Sequence, residues 1–166
     1  MDNVILTTLF DRVKKVENQQ NKKFELIEAI TVDEENVAVI ERNQEPNGEL
    51  YRFEELLVNF ETEASNTTSF LLCHVNNVGV ANIGDIINTT KHYSSLHVRE
   101  DKGILFSEYQ AASPIITASG ILRARNLELR EVDFIKSLKF SCNVAIPVGS
   151  KITIYAVRKW KYDNWF

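Results

Sequence analysis

The chain has 166 residues, of which 44% are hydrophobic and 25% are charged, and its formal net charge is −4. This composition is typical of one globular domain that buries a core without disulfides or metals. The acidic balance argues against nucleic acid and anionic membranes as partners, because both require clustered lysine and arginine. With no apolar window near ~20 residues and no signal-peptide pattern, the sequence predicts synthesis in a cytoplasm without a membrane anchor.

Residues 1–20 predict a short N-terminal helix. Its apolar side chains recur three and four positions apart, which places them on one helical face: Leu6, Leu9, Val13 and Val16. An isolated helix of ~15 residues is marginal in water, so this face must pack. We expect it to join copies of the chain or to attach the chain to a larger particle. The alternative is that it covers its own β domain. Residues 21–23 then serve as a linker.

From residue 24 the pattern changes to short apolar runs separated by turn residues. Asn47-Gly48 is the strongest turn signal, and Asp101-Lys102-Gly103 and Pro147-Val148-Gly149 predict two further reversals. Residues 76–93 predict long loops with short strands. The predicted strands are residues 24–31, 37–40, 53–60, 70–75, 96–99, 104–109, 122–129, 134–140 and 151–157. Regular short strands of this kind predict a mainly β domain over residues 24–166, an antiparallel β-sandwich or barrel.

Few residues suggest chemistry. His92 and His97 are five positions apart, which puts them on opposite faces of a strand, and no metal-ligand motif surrounds them. Cys73 and Cys142 lie in apolar runs and are predicted to be buried thiols, with a disulfide left open. The acidic residues 33–35 predict a solvated turn, with bound calcium as the alternative. The sequence therefore predicts no catalytic residue, no metal site and no cofactor, and we expect no enzyme activity.

Two regions are candidates for partner docking. Arg123 and Arg125 share one face of a predicted strand, which is either a solvent face with carboxylate partners or an interface patch. The C-terminal residues form an aromatic segment: Trp160, Tyr162, Trp165 and Phe166. These rings either cap the core or dock on a neighbouring protein, because Trp and Tyr are favoured interface anchors. Stacking on sugar rings is a third interpretation.

Two segments of the chain carry a distinctive order of strands and turns. The opening segment has a strand, an acidic turn, an Asn-Gly turn and a strand that begins with tyrosine, at Phe24-Glu25-Leu26-Ile27, Ile30-Thr31, Asn47-Gly48 and Tyr51-Arg52-Phe53. The closing segment has a last hairpin strand at Gly149-Ser150-Lys151-Ile152-Thr153-Ile154-Tyr155. In these features the chain resembles jelly-roll-like accessory or fibre-associated virion proteins of tailed bacteriophages, with Ala156 where glycine is usual in that family.

The resemblance implies a jelly-roll-like structural protein of the virion, in the head or the tail, that acts through contacts with other virion proteins. It implies no catalytic residue. We expect a homo-oligomer, with a trimer as the natural choice for a fibre-like assembly. The alternative from a different class is a carbohydrate-binding module that recognises a host-surface glycan. Its candidate rings are Tyr93, Tyr109, Trp160 and Trp165.

Overall fold

The computed structural model describes residues 23–64, 69–86, 91–101, 104–112, 117–125 and 134–159. The predicted helix at residues 1–20, with Leu6, Leu9, Val13 and Val16, lies outside these ranges. The described residues form ten strands: β1 (Glu25–Thr31), β2 (Val39–Arg42), β3 (Phe53–Thr62), β4 (Ser69–Val75), β5 (Val78–Ile86), β6 (His92–Asp101), β7 (Ile104–Ala112), β8 (Thr117–Arg125), β9 (Leu138–Cys142) and β10 (Lys151–Arg158).

The strands form two antiparallel sheets. The six-stranded sheet has the order β1-β10-β3-β6-β7-β8, and the four-stranded sheet has the order β2-β9-β4-β5. Neighbouring strands pair antiparallel throughout both sheets. The prediction of a mainly β chain with antiparallel sheets is therefore confirmed.

The core lies between the two sheets. Buried side chains alternate with more exposed ones along β6. For example, Leu96 and Val98 are fully buried, whereas Tyr93 is 50% exposed. This period of two is what a strand with one face on a core requires. The rings of Phe60 on β3 and Phe140 on β9 meet edge to face, with centroids 5.2 Å apart. Side chains of the two sheets thus share one apolar layer, to which both contribute.

The predicted turns at Asn47-Gly48 and Gly149 are confirmed. Gly48 has a φ of 87° and donates its amide to the carbonyl of Glu45 at 2.8 Å. Gly149 has a φ of 88° and donates to the carbonyl of Val32 at 2.7 Å. Both backbone conformations favour glycine, because a Cβ atom is strained at positive φ. The chain therefore reverses where its turn chemistry indicates.

Asn76 and Asn77 form the tight turn between β4 and β5. The prediction of long loops with short strands over residues 76–93 is therefore wrong for its first half, because the nine-residue strand β5 follows this turn directly. The φ angles of Asn76 and Asn77 are 51° and 64°, which asparagine tolerates better than most residues. The Asn76 side chain is fully buried. Its Oδ1 accepts amide hydrogen bonds from Lys136 at 2.7 Å and Ser137 at 3.1 Å, and its Nδ2 donates to the carbonyl of Phe134 at 3.0 Å. This one side chain fixes the approach to β9.

The segment before β9 differs from its prediction. A strand was predicted over residues 134–140, but β9 begins at Leu138. Ile135 instead forms an isolated bridge with Phe53, and the Arg52 guanidinium lies 4.5 Å from the centroid of the Phe134 ring. Ile135 is fully buried in the core. Residues 134–137 therefore resemble a strand in sequence because Ile135 packs on the core, although they form only a single bridge and no ladder.

Both cysteines are buried free thiols, which confirms the prediction of buried thiols and answers the open question of a disulfide. Cys73 on β4 lies opposite Phe140 on β9, and Cys142 lies opposite Leu71. The two thiols are therefore diagonal neighbours, a relation that typically separates Cα atoms by about 7–8 Å, beyond the usual disulfide range. Burial raises the pKa of Cys73.

Candidate interaction surfaces

The strand β8 ends the six-stranded sheet and presents an uncovered edge within the part of the chain that the structure describes. It pairs with β7 over nine consecutive residues without a register shift. Its opposite side has no strand partner among the described residues. Such an edge offers a row of backbone donors and acceptors to another strand. We call this side of Thr117–Arg125 the β8 edge.

The other three terminal strands of the described sheets are less suited to pairing. The register of β1 shifts between Leu26 and Glu28, and β2 is only four residues long. The pairing of β5 with β4 shifts twice. Bulges and short strands are the devices by which proteins protect sheet edges. Among these four, β8 alone combines length with an unbroken register.

The predicted docking residues Arg123 and Arg125 both lie on β8. In the register with β7, Arg123 lies opposite Phe106 and Arg125 opposite Ile104. The structure thus places these two candidates together on the open edge strand. The other docking candidates, Trp160, Tyr162, Trp165 and Phe166, lie outside the described residues.

The strand next to the β8 edge is fastened to the second sheet. Ser107 on β7 is buried, and its hydroxyl donates a hydrogen bond of 2.7 Å to the carbonyl of Val80 on β5. Leu105, two residues earlier on β7, is fully buried. Because buried hydrogen bonds between elements fix their relative position, the β7–β8 hairpin is held against the body of the domain.

The outer face of the six-stranded sheet carries a half-exposed aromatic ring. Tyr93 on β6 is 50% exposed and lies opposite Glu61 on β3. Lys91 Nζ lies 2.8 Å from Oε1 of Glu63 and 3.6 Å from Oε1 of Glu61. The hydrogen bond to Glu63 raises the pKa of Lys91. An open ring thus adjoins charged groups that donate and accept hydrogen bonds.

The other ring on a described strand that was predicted to stack on sugars has a different environment. Tyr109 on β7 is partly buried and packs against the core. Trp160 and Trp165 lie outside the described ranges. Of the two candidate rings within the described residues, Tyr93 is therefore the more exposed.

Further along the same outer face, His97 interacts with Glu55 and Phe24. His97 Nε2 lies 3.1 Å from Glu55 Oε2, and the ring packs edge to face on Phe24 with centroids 5.9 Å apart. His92 is buried on the opposite face of β6, as the spacing predicts. The described residues contain no group of three or more His, Cys, Asp or Glu side chains arranged to hold a metal ion.

A charged cluster lies at β1 and β2, the terminal strands at the ends of the two sheets away from β8 and β5. Arg42 on β2 donates from Nε to both oxygens of Glu28 on β1, at 3.1 and 2.9 Å. This ion pair joins the terminal strands of the two sheets. Beside it, Arg158 on β10 binds Glu45 and Glu25, and these carboxylates raise its pKa. Sequence reasoning missed this cluster because its members lie 14 to 133 residues apart and form no motif.

The charged cluster borders a shallow depression of about 270 Å³, lined by Glu28, Glu41, Arg42, Asn43, Gln44, Glu45 and Pro46. Tyr51 is buried nearby, and its hydroxyl has no hydrogen-bond partner among the described residues. Burial, together with the charges of Glu28 and Glu45, raises the pKa of Tyr51. Two carboxylates of the depression form ion pairs with arginines, Glu28 with Arg42 and Glu45 with Arg158. The pair of Glu28 with Arg42 joins the two sheets, so we interpret the cluster as structural.

Comparisons with known proteins do not show a family. Neither the models of protein families nor the curated proteins include a match to this chain. Among solved structures, the CBM2 module of the evolved Dit of Lactobacillus casei BL23 phage J-1 is similar with a TM-score of 0.37 and 8% identity, covering 84% of this chain and 81% of that one. The binding domain of botulinum neurotoxin serotype C1 gives a TM-score of 0.18 and 13% identity, covering 63% and 32%. At TM-scores this low, neither structure indicates the function of this chain.

None of the described segments forms a helix of the length and apolar character needed to span a membrane.

Proposed function

We propose that this chain is a structural protein of a tailed-bacteriophage virion that acts by binding other proteins and catalyses no reaction. The observation that carries the binding role is the β8 edge, nine residues of regular strand without a partner among the described residues. Assignment to a virion rests on the resemblance of the opening strands and the last hairpin described above. The ion pairs of Arg42 with Glu28 and of Arg158 with Glu25 support a structural role, because each joins two strands.

The finer fold in this proposal is a jelly roll, which consists of eight strands in two sheets. The strand order supports it. Along the chain β1, β3, β6 and β10 belong to one sheet, and β2, β4, β5 and β9 to the other. Each set of four is contiguous in its sheet, with β10 between β1 and β3 and with β9 between β2 and β4. The hairpin β7–β8 is then an addition that extends the first sheet beyond the eight strands.

Strand addition is the mode of binding that this geometry favours. A strand that joins an exposed sheet edge gains affinity from main-chain hydrogen bonds and specificity from alternate side chains. The Ser107 hydrogen bond to Val80 holds the hairpin in place, so little conformational freedom is lost when a partner binds. Pre-organisation of this kind raises affinity without additional contacts.

Fractionation of phage particles tests the proposal. Particles of the phage that encodes this chain are purified by density-gradient centrifugation, and the chain is measured by peptide mass spectrometry against a known head protein. A fixed copy number per particle is the expected result. A chain that is abundant in the infected cell but absent from washed particles would contradict the proposal.

A second candidate function, binding of a host-surface glycan, is favoured by one observation. Tyr93 is 50% exposed on the outer sheet face, beside the carboxylates and ammonium of Glu61, Glu63 and Lys91. An amphipathic ring with adjacent polar groups is suited to a ligand that has one apolar face and many hydroxyls. In this proposal Tyr93 is the stacking platform and Glu61 the hydrogen-bond acceptor.

A glycan array with three proteins separates the two candidates. If the second is correct, the wild-type chain binds at least one glycan, Tyr93→Ala abolishes the signal, and Tyr93→Phe retains most of it because the ring remains. Equal signals from the wild type and Tyr93→Ala would show that Tyr93 is not the platform. No signal from the wild type at high protein concentration would contradict glycan binding.

A further inference from the structure

We propose that the β8 edge binds the β8 edge of a second copy of this chain, antiparallel and around a two-fold axis centred on Ile121. This inference rests on the proposed function, because it names the partner of the edge to which protein binding was assigned. It differs from the trimer expected from the sequence, because a two-fold pairing of edges closes as a dimer.

The sequence of β8 is compatible with strand addition. Residues 117–125 read TASGILRAR and contain no proline, so no donor is missing among the alternate residues that direct their amides to the open side. The pairing with β7 uses one side of the strand, and its unbroken register leaves the other side straight. A second strand therefore meets a continuous ladder of donors and acceptors.

Full overlap of the two strands selects the register, and the positions of the two arginines are compatible with it. When two copies of β8 pair antiparallel about Ile121, all nine residues overlap, Arg123 lies opposite Ser119 and Arg125 opposite Thr117. A pairing centred on Arg123 places the two copies of Arg123 directly opposite each other, and one centred on Ala124 places Arg123 opposite Arg125. Directly opposed like charges are destabilising. The register that maximises overlap is therefore also free of arginine–arginine pairs.

A two-fold arrangement gives a closed dimer and leaves no further β8 edge exposed. Isologous interfaces of this type are the commonest among homo-oligomers. The two six-stranded sheets then form one continuous sheet across the interface. Charged residues at a sheet edge can also prevent pairing with another strand. If Arg123 and Arg125 have that role, the protein is a monomer at every concentration, and this result would contradict the proposal.

Disulfide trapping tests the register. In Ile121→Cys the introduced thiol lies opposite itself across the axis, so mild oxidation is expected to give a covalent dimer on a non-reducing gel. The matched control is Thr117→Cys, which lies opposite Arg125 and is expected to give no covalent dimer when oxidised alone. Thr117→Cys mixed with Arg125→Cys is expected to cross-link. The native Cys73 and Cys142 are buried, and the wild type measures their contribution.

Charge substitution tests the same contact without covalent chemistry. Ser119→Glu places a carboxylate opposite Arg123 twice in the dimer, and Ser119→Arg places a like charge there. We expect the dimer dissociation constant to fall about tenfold in the first and to rise about tenfold in the second, as two favourable or unfavourable cross-strand pairs imply. Asn59→Glu and Asn59→Arg, on the exposed face of the central strand β3, are the controls and are expected to leave it unchanged.

The readouts are light scattering with size-exclusion chromatography and sedimentation velocity over a range of concentrations. A wild-type monomer at every concentration, or a dimer that neither cross-links through position 121 nor responds at position 119, would overturn the inference. If an acidic peptide rather than a second copy occupies the edge, the protein stays monomeric, which is also an overturning result. These outcomes are independent of whether the chain is found in phage particles, so the two proposals can fail separately.

Discussion

Arg158 and Glu45 form a two-pronged ion pair between residues 113 positions apart, in which Nη1 and Nη2 of the arginine donate to the two carboxylate oxygens. The Glu45 side chain is 6% exposed and that of Arg158 is 33% exposed. Arg158 Nε also donates to Glu25 on β1 at 3.1 Å. One guanidinium therefore connects β10, β1 and the turn that follows β2.

The first prediction concerns the loss of this guanidinium. We expect Arg158→Met to lower the free energy of unfolding by about 3 kcal/mol, because a buried carboxylate is left without its partner. Lys139→Met is the control, since Lys139 and Glu41 form an exposed pair at 3.4 Å that contributes about 0–1 kcal/mol. Urea unfolding followed by far-ultraviolet circular dichroism measures both.

The same pair permits a rescue experiment. Adding Glu45→Gln to Arg158→Met removes the unpaired charge, so the double variant is expected to recover at least about 1 kcal/mol of the loss. A double variant that is as unstable as the sum of the two single variants would show that the residues act independently.

The second prediction concerns the buried turn at Asn76. Asn76→Ala removes three hydrogen bonds to the backbone of residues 134–137, and we expect a loss of about 3 kcal/mol or more. Asn77→Gly is the matched control, because Asn77 is exposed and has a φ of 64°, which glycine adopts easily. The control is expected to change stability by under about 1 kcal/mol. Similar losses in both variants would indicate that the turn itself, and not the buried side chain, determines stability.

The third prediction separates backbone strain from steric contact. Gly48 and Gly149 have almost the same φ, 87° and 88°, but a Cβ on Gly48 meets open space while one on Gly149 lies 3.1 Å from Cγ of Glu63. Gly48→Ala is expected to cost about 1 kcal/mol from strain alone. Gly149→Ala should cost more, and adding Glu63→Ala should reduce the excess. Equal thermal shifts for the two alanine variants would show that Glu63 moves aside freely.

The fourth prediction is a decline in stability at alkaline pH. Burial raises the pKa values of Cys73 and Tyr51, so both stay protonated in the folded state while their unfolded forms ionise above about 8.5 and 10 respectively. The folded protein then binds more protons, and each group lowers the free energy of unfolding by about 1.4 kcal/mol per pH unit above its unfolded pKa. Below these values their contribution is fully present.

Urea unfolding at pH 7, 9 and 10.5 measures this decline. Cys73→Ala is expected to flatten the slope that starts near pH 8.5, and Tyr51→Phe the slope that starts near pH 10. Tyr51→Phe is also expected to cost little at pH 7, because its hydroxyl has no partner among the described residues. Parallel pH profiles for the wild type and both variants would refute the assignment to these two groups.

The features predictable from sequence are those set by local chemistry. Asn47-Gly48 and Pro147-Val148-Gly149 contain glycines at the positions of positive φ, so the reversals follow from composition. The opposite facing of His92 and His97 follows from the period of a strand. The antiparallel architecture follows from many short strands with turns between them.

The features that sequence could not supply depend on contacts between distant residues. Asn76-Asn77 has no glycine, and its turn is stabilised by the backbone at residues 134–137. Phe134 and Ile135 have the composition of strand residues, but they are used to close the core at Phe53 and Arg52. The pairing of β8 at the end of a sheet, which gives Arg123 and Arg125 their setting, depends on the order of all six strands.

The position of β10 between β1 and β3 has a consequence for biosynthesis. While the ribosome is still adding residues before Lys151, the strand that joins β1 to the rest of its sheet does not yet exist. The nascent chain must therefore keep β1 unattached until β10 has been made, and the six-stranded sheet is completed by insertion of this later strand. Distant pairings of this kind slow folding and extend the time during which apolar strands are exposed. A chain of this design gains from chaperones that shield its early segments until translation passes Arg158.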